Sequence, residues 1–94
     1  MQRLDLKTLR YDSLGRSVLI DGRAVTVEIS HEALETLANR PLSRDEAMFK
    51  VAEERLRLTR LAQWIPADDG KIHITTNMLM NNGLFASGEA ENAD

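Results

Sequence analysis

The sequence predicts a small, single α+β domain in which helices pack on one face of an antiparallel sheet. Three observations support this fold class: β-branched runs around an Asp-Gly pair, two helical repeats after them, and one later alternating run. A chain of 94 residues is long enough for one domain with one hydrophobic core. We expect that domain to cover residues 1–86 and the acidic tail, residues 87–94, to be disordered.

An N-terminal β-hairpin is the clearest early element. After its turn, Val25, Val27 and Ile29 alternate with polar residues, and Val18 and Ile20 before the turn would supply the facing strand. Asp21-Gly22 is predicted to form a two-residue turn, because Asp-Gly tolerates the positive φ that both positions of such a turn need. Leu4 and Leu6 also alternate with polar residues, which indicates a short edge strand before the hairpin.

Two helices are predicted after the hairpin. Ser30 is a favourable N-cap for the first helix, which ends near Asn39. The second helix opens with a capping box of Ser43 and Glu46 and is predicted to run to about Trp64, whose ring is expected at the rim of the core. Residues 68–70 then form a turn, and the alternating residues 71–75 form the last strand.

Arg55 stands out on the second predicted helix. Apolar residues form one arc of the helical wheel at about 100° per residue: Met48, Val51, Ala52, Leu56, Leu58 and Ala62. Arg55 lies about 20° from Met48, inside this arc. A guanidinium stays charged at working pH, so it must reach water, a carboxylate or backbone carbonyls. The pattern favours a structural role, with Arg55 ending on carbonyls of the sheet edge or on Asp12 or Asp21; the alternative is an anion-binding role.

The opposite side of the same helix carries Arg57 and Arg60, and Lys50 lies about two turns before Arg57. Glu53 precedes Arg57 by four residues, and Glu46 precedes Lys50 by four, which is a favourable order for ion pairs on a helix. A solvated charged face is therefore the simplest interpretation. Lys50, Arg57 and Arg60 are also the candidate partner surface.

Several segments together resemble a known family. The segments "LRYDSLGRSVLIDGRAVTVEISHEAL" and "VAEERLRLTRLA" resemble the small bacterial proteins gathered as domain-of-unknown-function family 1488, over about residues 9–79. The matching positions are Arg10, Tyr11, Asp12, Val18, Gly22, Val27, Ala33, Leu34, Arg55, Leu58 and Ala62. The chain departs from the family at Val51, where the family has an aromatic residue, and near Asn77, where the family's closing acidic residue has no match. The resemblance implies a compact α+β domain of unassigned function and again singles out Arg55.

Composition argues against several function classes. The chain has no cysteine, which excludes disulfides and thiolate chemistry, and its two histidines, His31 and His73, lie on different predicted elements. We therefore expect no metal or other cofactor, and the sequence favours a protein that is not an enzyme. The net charge of −3 equals that of three acidic residues in the tail, so the rest of the chain is neutral. A nucleic-acid binder usually carries a clear basic surface.

Three functional hypotheses follow. The first is a non-enzymatic protein-interaction or regulatory module in the cytoplasm, with no membrane association, whose partner is another protein or a second copy of the chain. The second is a nucleic-acid-associated protein using a set of basic residues: Arg40, Arg44, Lys50, Arg57 and Arg60. The third is a small-molecule or anion binder centred on Arg55, Asp12 and His73.

Overall fold

The computed structural model describes residues 6–81 and confirms the α+β fold class. The elements are strands β1 (Leu6–Asp12), β2 (Ser17–Gly22) and β3 (Thr26–Ser30), helices α1 (His31–Ala38), α2 (Arg44–Glu53) and α3 (Arg55–Ala62), strand β4 (Lys71–Ile74) and helix α4 (Thr76–Asn81). The edge strand expected at the N-terminus is present from Leu6 onward. Leu4 and the tail of residues 87–94 lie outside the described residues.

Within the described residues, the strands form one sheet in the order β1-β2-β3-β4. The β1–β2 and β2–β3 pairs are antiparallel, but β4 runs parallel to β3, with Val27 opposite Ile72. The prediction of a wholly antiparallel sheet is therefore wrong at its last strand. The physical reason is the long helical connection between β3 and β4, since parallel neighbours need a crossover of this kind.

One face of the sheet supplies half of the core. Its inward side chains are at most 3% exposed: Val18, Ile20, Val27, Ile29, Ile72 and Ile74. The helices cover them with a second set of buried side chains: Ala33, Leu34, Ala47, Val51, Leu58, Ala62 and Leu79. Packing on a single face explains the strict alternation of β3 and β4, where every second residue is buried.

The turn of the β2–β3 hairpin does not lie at Asp21-Gly22. Asp21 remains in the ladder opposite Thr26, and the Gly22 N–H donates to the Val25 carbonyl at 2.8 Å, so the two turn residues are Arg23 and Ala24, two residues later than predicted. Neither Asp21 nor Gly22 has positive φ. Asp21 is held in the strand because its carboxylate accepts hydrogen bonds from Thr26 Oγ1 (3.0 Å) and from the Arg10 guanidinium.

The second Asp-Gly pair of the chain, Asp69-Gly70, has the two-residue turn geometry that the sequence predicts at Asp21-Gly22. Asp69 has φ 55° and Gly70 has φ 79°, and Asp68 and Lys71 exchange backbone hydrogen bonds of 2.7 and 3.0 Å across them. Positive φ at both central residues is the requirement of a type I′ turn. The predicted turn at residues 68–70 is confirmed, and it leads directly into β4.

The predicted helix starts are confirmed. Ser30 Oγ accepts from the Ala33 N–H at 3.0 Å, and Ser43 and Glu46 form a reciprocal capping box with distances of 3.1 and 2.8 Å. Asn39 ends α1 in the left-handed conformation, with φ 59°. These contacts satisfy backbone groups that helix ends leave without intrahelical partners.

The second predicted helix is divided in two. Glu54 has φ −101° and ψ 15°, which ends α2 and begins α3. Hydrogen bonds of the i to i−4 type remain on both sides, from the Glu54 N–H to Lys50 O (3.2 Å) and from the Leu58 N–H to Glu54 O (2.8 Å). Helix α3 ends at Ala62, and the Trp64 side chain is exposed, so its expected position at the core rim is wrong.

Candidate functional site

A continuous buried stripe runs along α2 and α3. Ala47, Val51, Leu58 and Ala62 are all fully buried, and Arg55 lies between them. The successive spacings of four, four, three and four residues are those of one face of a helix, so the break at Glu54 does not rotate α3 out of phase with α2. Val51 lies near the centre of the stripe, and Arg55 lies at its edge, about 40° away. Leu56, assigned to the apolar arc by the wheel, lies about 140° from Val51, which explains why it is exposed.

A second, exposed stripe runs beside the buried one. Phe49 and Leu56 are 63% and 65% exposed, and they lie two helical turns apart on the same side. We call this feature the outer stripe and define it as Asp45, Phe49, Ala52, Leu56 and Arg60, all of which are exposed. At about 100° per residue these five positions fall within about 60–140° of Arg55. The outer stripe therefore presents an apolar centre with an acid at one end and a base at the other.

The candidate cations lie on both sides of the break at Glu54. Arg57 is exposed and pairs with Glu54 Oε1 at 3.6 Å, which replaces the predicted pair with Glu53. Lys50 is partly buried on α2. Arg60 is exposed, and within residues 6–81 it has no hydrogen-bond or ion-pair partner through its side chain.

An open cavity of about 470 Å³ adjoins the α2 half of the outer stripe, and its walls are Arg40, Asp45, Glu46, Phe49, Lys50 and Glu53. The Glu46 carboxylate already has hydrogen-bond donors within the protein: it accepts from the Ser43 N–H at 2.8 Å and from Arg40 at 3.4 Å. The Ser43 N–H, more than Arg40, lowers the pKa of Glu46. Within residues 6–81, the one ion-pair contact of Asp45 is with Arg44 at 3.8 Å, and its side chain, 89% exposed, stays accessible to a partner.

The residues proposed for nucleic-acid contact are largely accompanied by acids. Arg40 lies 3.4 Å from Glu46, Arg44 lies 3.8 Å from Asp45, and Arg57 lies 3.6 Å from Glu54. Exposed pairs of this kind are weak, but each carboxylate offsets local positive potential. Only Lys50 and Arg60 of this set have no carboxylate partner within residues 6–81.

Arg55 fastens α3 to the edge of the sheet. Its Nη2 donates to the carbonyls of Leu6 (2.9 Å) and Lys7 (2.8 Å). The β1–β2 register shifts between Leu6 and Thr8, so Lys7 is the extra residue of a β-bulge. Successive carbonyls of a regular strand point to opposite edges, whereas the bulge allows two of them to reach one nitrogen.

The other two residues of the anion-binding hypothesis lie elsewhere. Asp12 Oδ1 accepts from the Leu14 N–H at 3.2 Å in the β1–β2 turn, and His73 Nδ1 lies 2.7 Å from Glu28 Oε1 on the neighbouring strand. Strands β1 and β4 are at opposite edges of the sheet, roughly 14 Å apart. The structure therefore does not bring Arg55, Asp12 and His73 together.

A polar cluster surrounds His31, one of the two histidines for which the sequence predicts no metal-binding role. His31 is 4% exposed; its Nδ1 lies 2.8 Å from Tyr11 Oη, and its Nε2 lies 2.8 Å from the Leu42 carbonyl and 3.2 Å from Glu35 Oε2. A carbonyl can only accept, so Nε2 carries a proton and donates to it. The available sequence signal was spacing, since His31 lies three residues before Leu34 on the apolar side of α1.

This cluster ties three parts of the fold together. Tyr11 belongs to β1, His31 and Glu35 to α1, and Leu42 to the connection between α1 and α2. The Leu42 N–H donates to Glu35 at 2.9 Å, and this hydrogen bond is the main reason that the pKa of Glu35 is lowered; the neighbouring His31 lowers it further. A carboxylate, an imidazole and a hydroxyl in sequence also occur in catalytic relays. Here their polar atoms bond to one another and to Leu42.

Comparisons with known proteins give no relative: no family model, no curated protein and no solved structure matches the chain. Membership in domain-of-unknown-function family 1488 therefore stays a prediction. Within residues 6–81, no group of three or more His, Cys, Asp or Glu side chains could hold a metal ion. In the same part of the chain, none of the helices combines the length and apolar character needed to cross a membrane.

Proposed function

We propose that this protein is a non-enzymatic protein-interaction module that binds its partner through the outer stripe of α2 and α3. One observation carries the proposal: Phe49 and Leu56 are 63% and 65% exposed on one side of a helix pair whose other side is fully buried. Protein interfaces commonly combine a few large apolar anchors with a charged rim, and Lys50, Arg57 and Arg60 supply such a rim here. The proposal includes a cytoplasmic location and kinship with the family 1488 proteins.

The alternatives receive less support from the same surface. Nucleic-acid binding requires several cations free to neutralise phosphates, but Arg40, Arg44 and Arg57 already have carboxylates within 3.8 Å. Anion binding at Arg55 would have to displace two carbonyl acceptors at 2.8 and 2.9 Å. A partner protein needs neither change, because the exposed apolar side chains gain free energy when they leave water.

The test is affinity capture from the source lysate with tagged protein, with and without nuclease. We would compare the wild type with a Phe49→Ser, Leu56→Ser variant, which changes only exposed side chains. The matched control is Leu14→Ser, since Leu14 is 99% exposed but lies in the β1–β2 turn. A variant with Arg57→Glu and Arg60→Glu tests the rim.

The expected result is a protein, or a second copy of the chain, that is retained with nuclease and by Leu14→Ser but lost with Phe49→Ser, Leu56→Ser. Loss with Arg57→Glu, Arg60→Glu would show that the rim contributes as well. Equal capture by the wild type and the Phe49→Ser, Leu56→Ser variant would refute this surface. Loss of the captured proteins on nuclease treatment would instead favour the nucleic-acid hypothesis.

A further inference from the structure

We propose that the partner of the outer stripe is a second copy of the same chain, packed antiparallel about a two-fold axis near Ala52. This inference rests on the proposed function, because it names the partner of the same surface. Closed two-fold dimers use one patch on both subunits, so the patch must be complementary to itself. The order of residues along the outer stripe makes it complementary to itself.

The apolar residues of the stripe match each other under the two-fold operation. When two helices run antiparallel about a point between Ala52 and Glu53, position 49 faces position 56 of the second copy, and position 56 faces position 49. Phe49 therefore meets the partner's Leu56 twice in one interface. Both side chains are mostly exposed in the single chain, so both have apolar surface left to bury.

The charged ends of the stripe match in the same register. Asp45 lies four residues before Phe49, and Arg60 lies four residues after Leu56, so Asp45 faces the partner's Arg60, and the pair also occurs twice. Within residues 6–81, the shortest ion-pair distance of the Asp45 carboxylate is 3.8 Å, to Arg44, and the Arg60 side chain has no partner. Complementary charges fix the register and direction of an interface more than they add affinity.

The middle of the stripe permits close approach. Ala52 lies near the proposed axis, and its small, exposed side chain lets two helices pack at the usual separation of about 8–10 Å. The open cavity beside Phe49 then lies opposite the α3 half of the second copy. Asp45, at one end of this cavity, faces the end of the partner that carries Arg60, whereas Glu53 lies near the proposed axis.

The first experiment measures mass by sedimentation equilibrium and light scattering between about 10 and 500 μM, a range that covers weak homodimers. The wild type is expected to approach twice the monomer mass of 10.6 kDa. Asp45→Arg alone and Arg60→Glu alone each replace two attractive pairs with two repulsive ones, so each should weaken self-association by about tenfold or more. Mixing these two variants should form a heterodimer, because every facing pair is then of opposite charge.

Matched controls separate this effect from net charge and from folding. Glu32→Arg changes an exposed acid in the first turn of α1, as Asp45→Arg does in α2, and Arg23→Glu changes an exposed base in the β2–β3 turn. Both controls should dimerise like the wild type, and a mixture of the two should show no preference for the heterodimer. Recovery of dimer in the Asp45→Arg and Arg60→Glu mixture also proves that both variants fold.

Cysteine cross-linking tests the axis directly, because the chain has no native cysteine. Ala52→Cys places one thiol close to its symmetry mate and should give a disulfide-linked dimer under mild oxidation. Ala67→Cys, at an exposed position after α3, is the control and should cross-link at least tenfold more slowly. Equal rates for the two variants would overturn the register.

A wild type that stays monomeric across the concentration range would overturn the homodimer. Dimerisation that Asp45→Arg and Arg60→Glu leave unchanged would overturn the antiparallel stripe. In either case, a different protein captured through Phe49 and Leu56 would leave the proposed function intact, whereas capture that ignores both residues would refute the proposed function itself.

Discussion

Removing the guanidinium of Arg55 should destabilise the fold far more than removing that of its neighbour Arg57. Arg55 Nη2 donates two hydrogen bonds, of 2.9 and 2.8 Å, to the carbonyls of Leu6 and Lys7. Hydrogen bonds from a charged donor contribute about 1.5–3 kcal/mol each when buried. Once the Arg55 side chain is removed, water can hydrogen-bond to the two freed carbonyls and offset part of this contribution. We therefore expect Arg55→Ala to lower the free energy of unfolding by about 2 kcal/mol in total. For a domain of this size that lowers Tm by roughly 8–16 °C.

Arg57→Ala is the matched control, because it removes the same side chain from the same helix. Its one ion pair, with Glu54 at 3.6 Å, is exposed and should contribute less than about 0.5 kcal/mol. Arg55→Met keeps most of the apolar stem and should behave like Arg55→Ala if the hydrogen bonds dominate. The assay is thermal unfolding followed by circular dichroism, supported by urea titration. Equal Tm values for Arg55→Ala and Arg57→Ala would refute the assigned role.

Three further stability predictions concern α1 and the start of α2. Ser43→Ala should cost about 1 kcal/mol in urea titrations, since it removes half of the capping box with Glu46; no measurable loss would argue against that box. Asn39→Ala should cost about 1 kcal/mol while Asn39→Gly is nearly neutral, because φ at this residue is 59° and glycine adopts that conformation freely. The pKa of Glu35 is lowered from 4.5, so its stabilising effect is present above that pH and is lost as pH falls through the lowered value. Glu35→Gln should therefore be less stable than wild type at pH 7, measured by unfolding at several pH values, with the difference shrinking as the pH falls below 4.5 and through the lowered pKa; a constant difference would show that the charge of Glu35 is not involved.

Features that depend on neighbouring residues could be predicted from the sequence. The caps at Ser30 and Ser43 could be predicted because each is a serine placed directly before the first residue of a helix. The inward direction of Arg55 follows from helical periodicity alone. The Asp69-Gly70 turn follows from its two residues, although Asp21-Gly22 has the same sequence and does not turn, because contacts of Asp21 with another strand decide its conformation.

Features that depend on distant contacts could not be predicted in this way. The direction of β4 is set by how the helices return the chain to the sheet, and no residue of β4 encodes it. The acceptors of Arg55 exist because of a bulge at Lys7, almost fifty residues away in the chain. The Tyr11–His31 contact similarly joins β1 to α1. The break at Glu54 shows no proline or glycine that would mark it.

The distribution of side-chain size on α2 and α3 argues that this helix pair does more than cover the sheet. Its buried stripe contains two alanines, Ala47 and Ala62, while Phe49 and Leu56 face solvent. Burial of a Phe or Leu side chain is worth about 1.5–3 kcal/mol, so folding alone would favour the large residues inside and the alanines outside. Closely packed sheet side chains can require small residues beneath a helix, but they do not require large apolar ones on its outer side. Close packing on the sheet accounts for the buried alanines, and the proposed partner would account for the exposed Phe49 and Leu56.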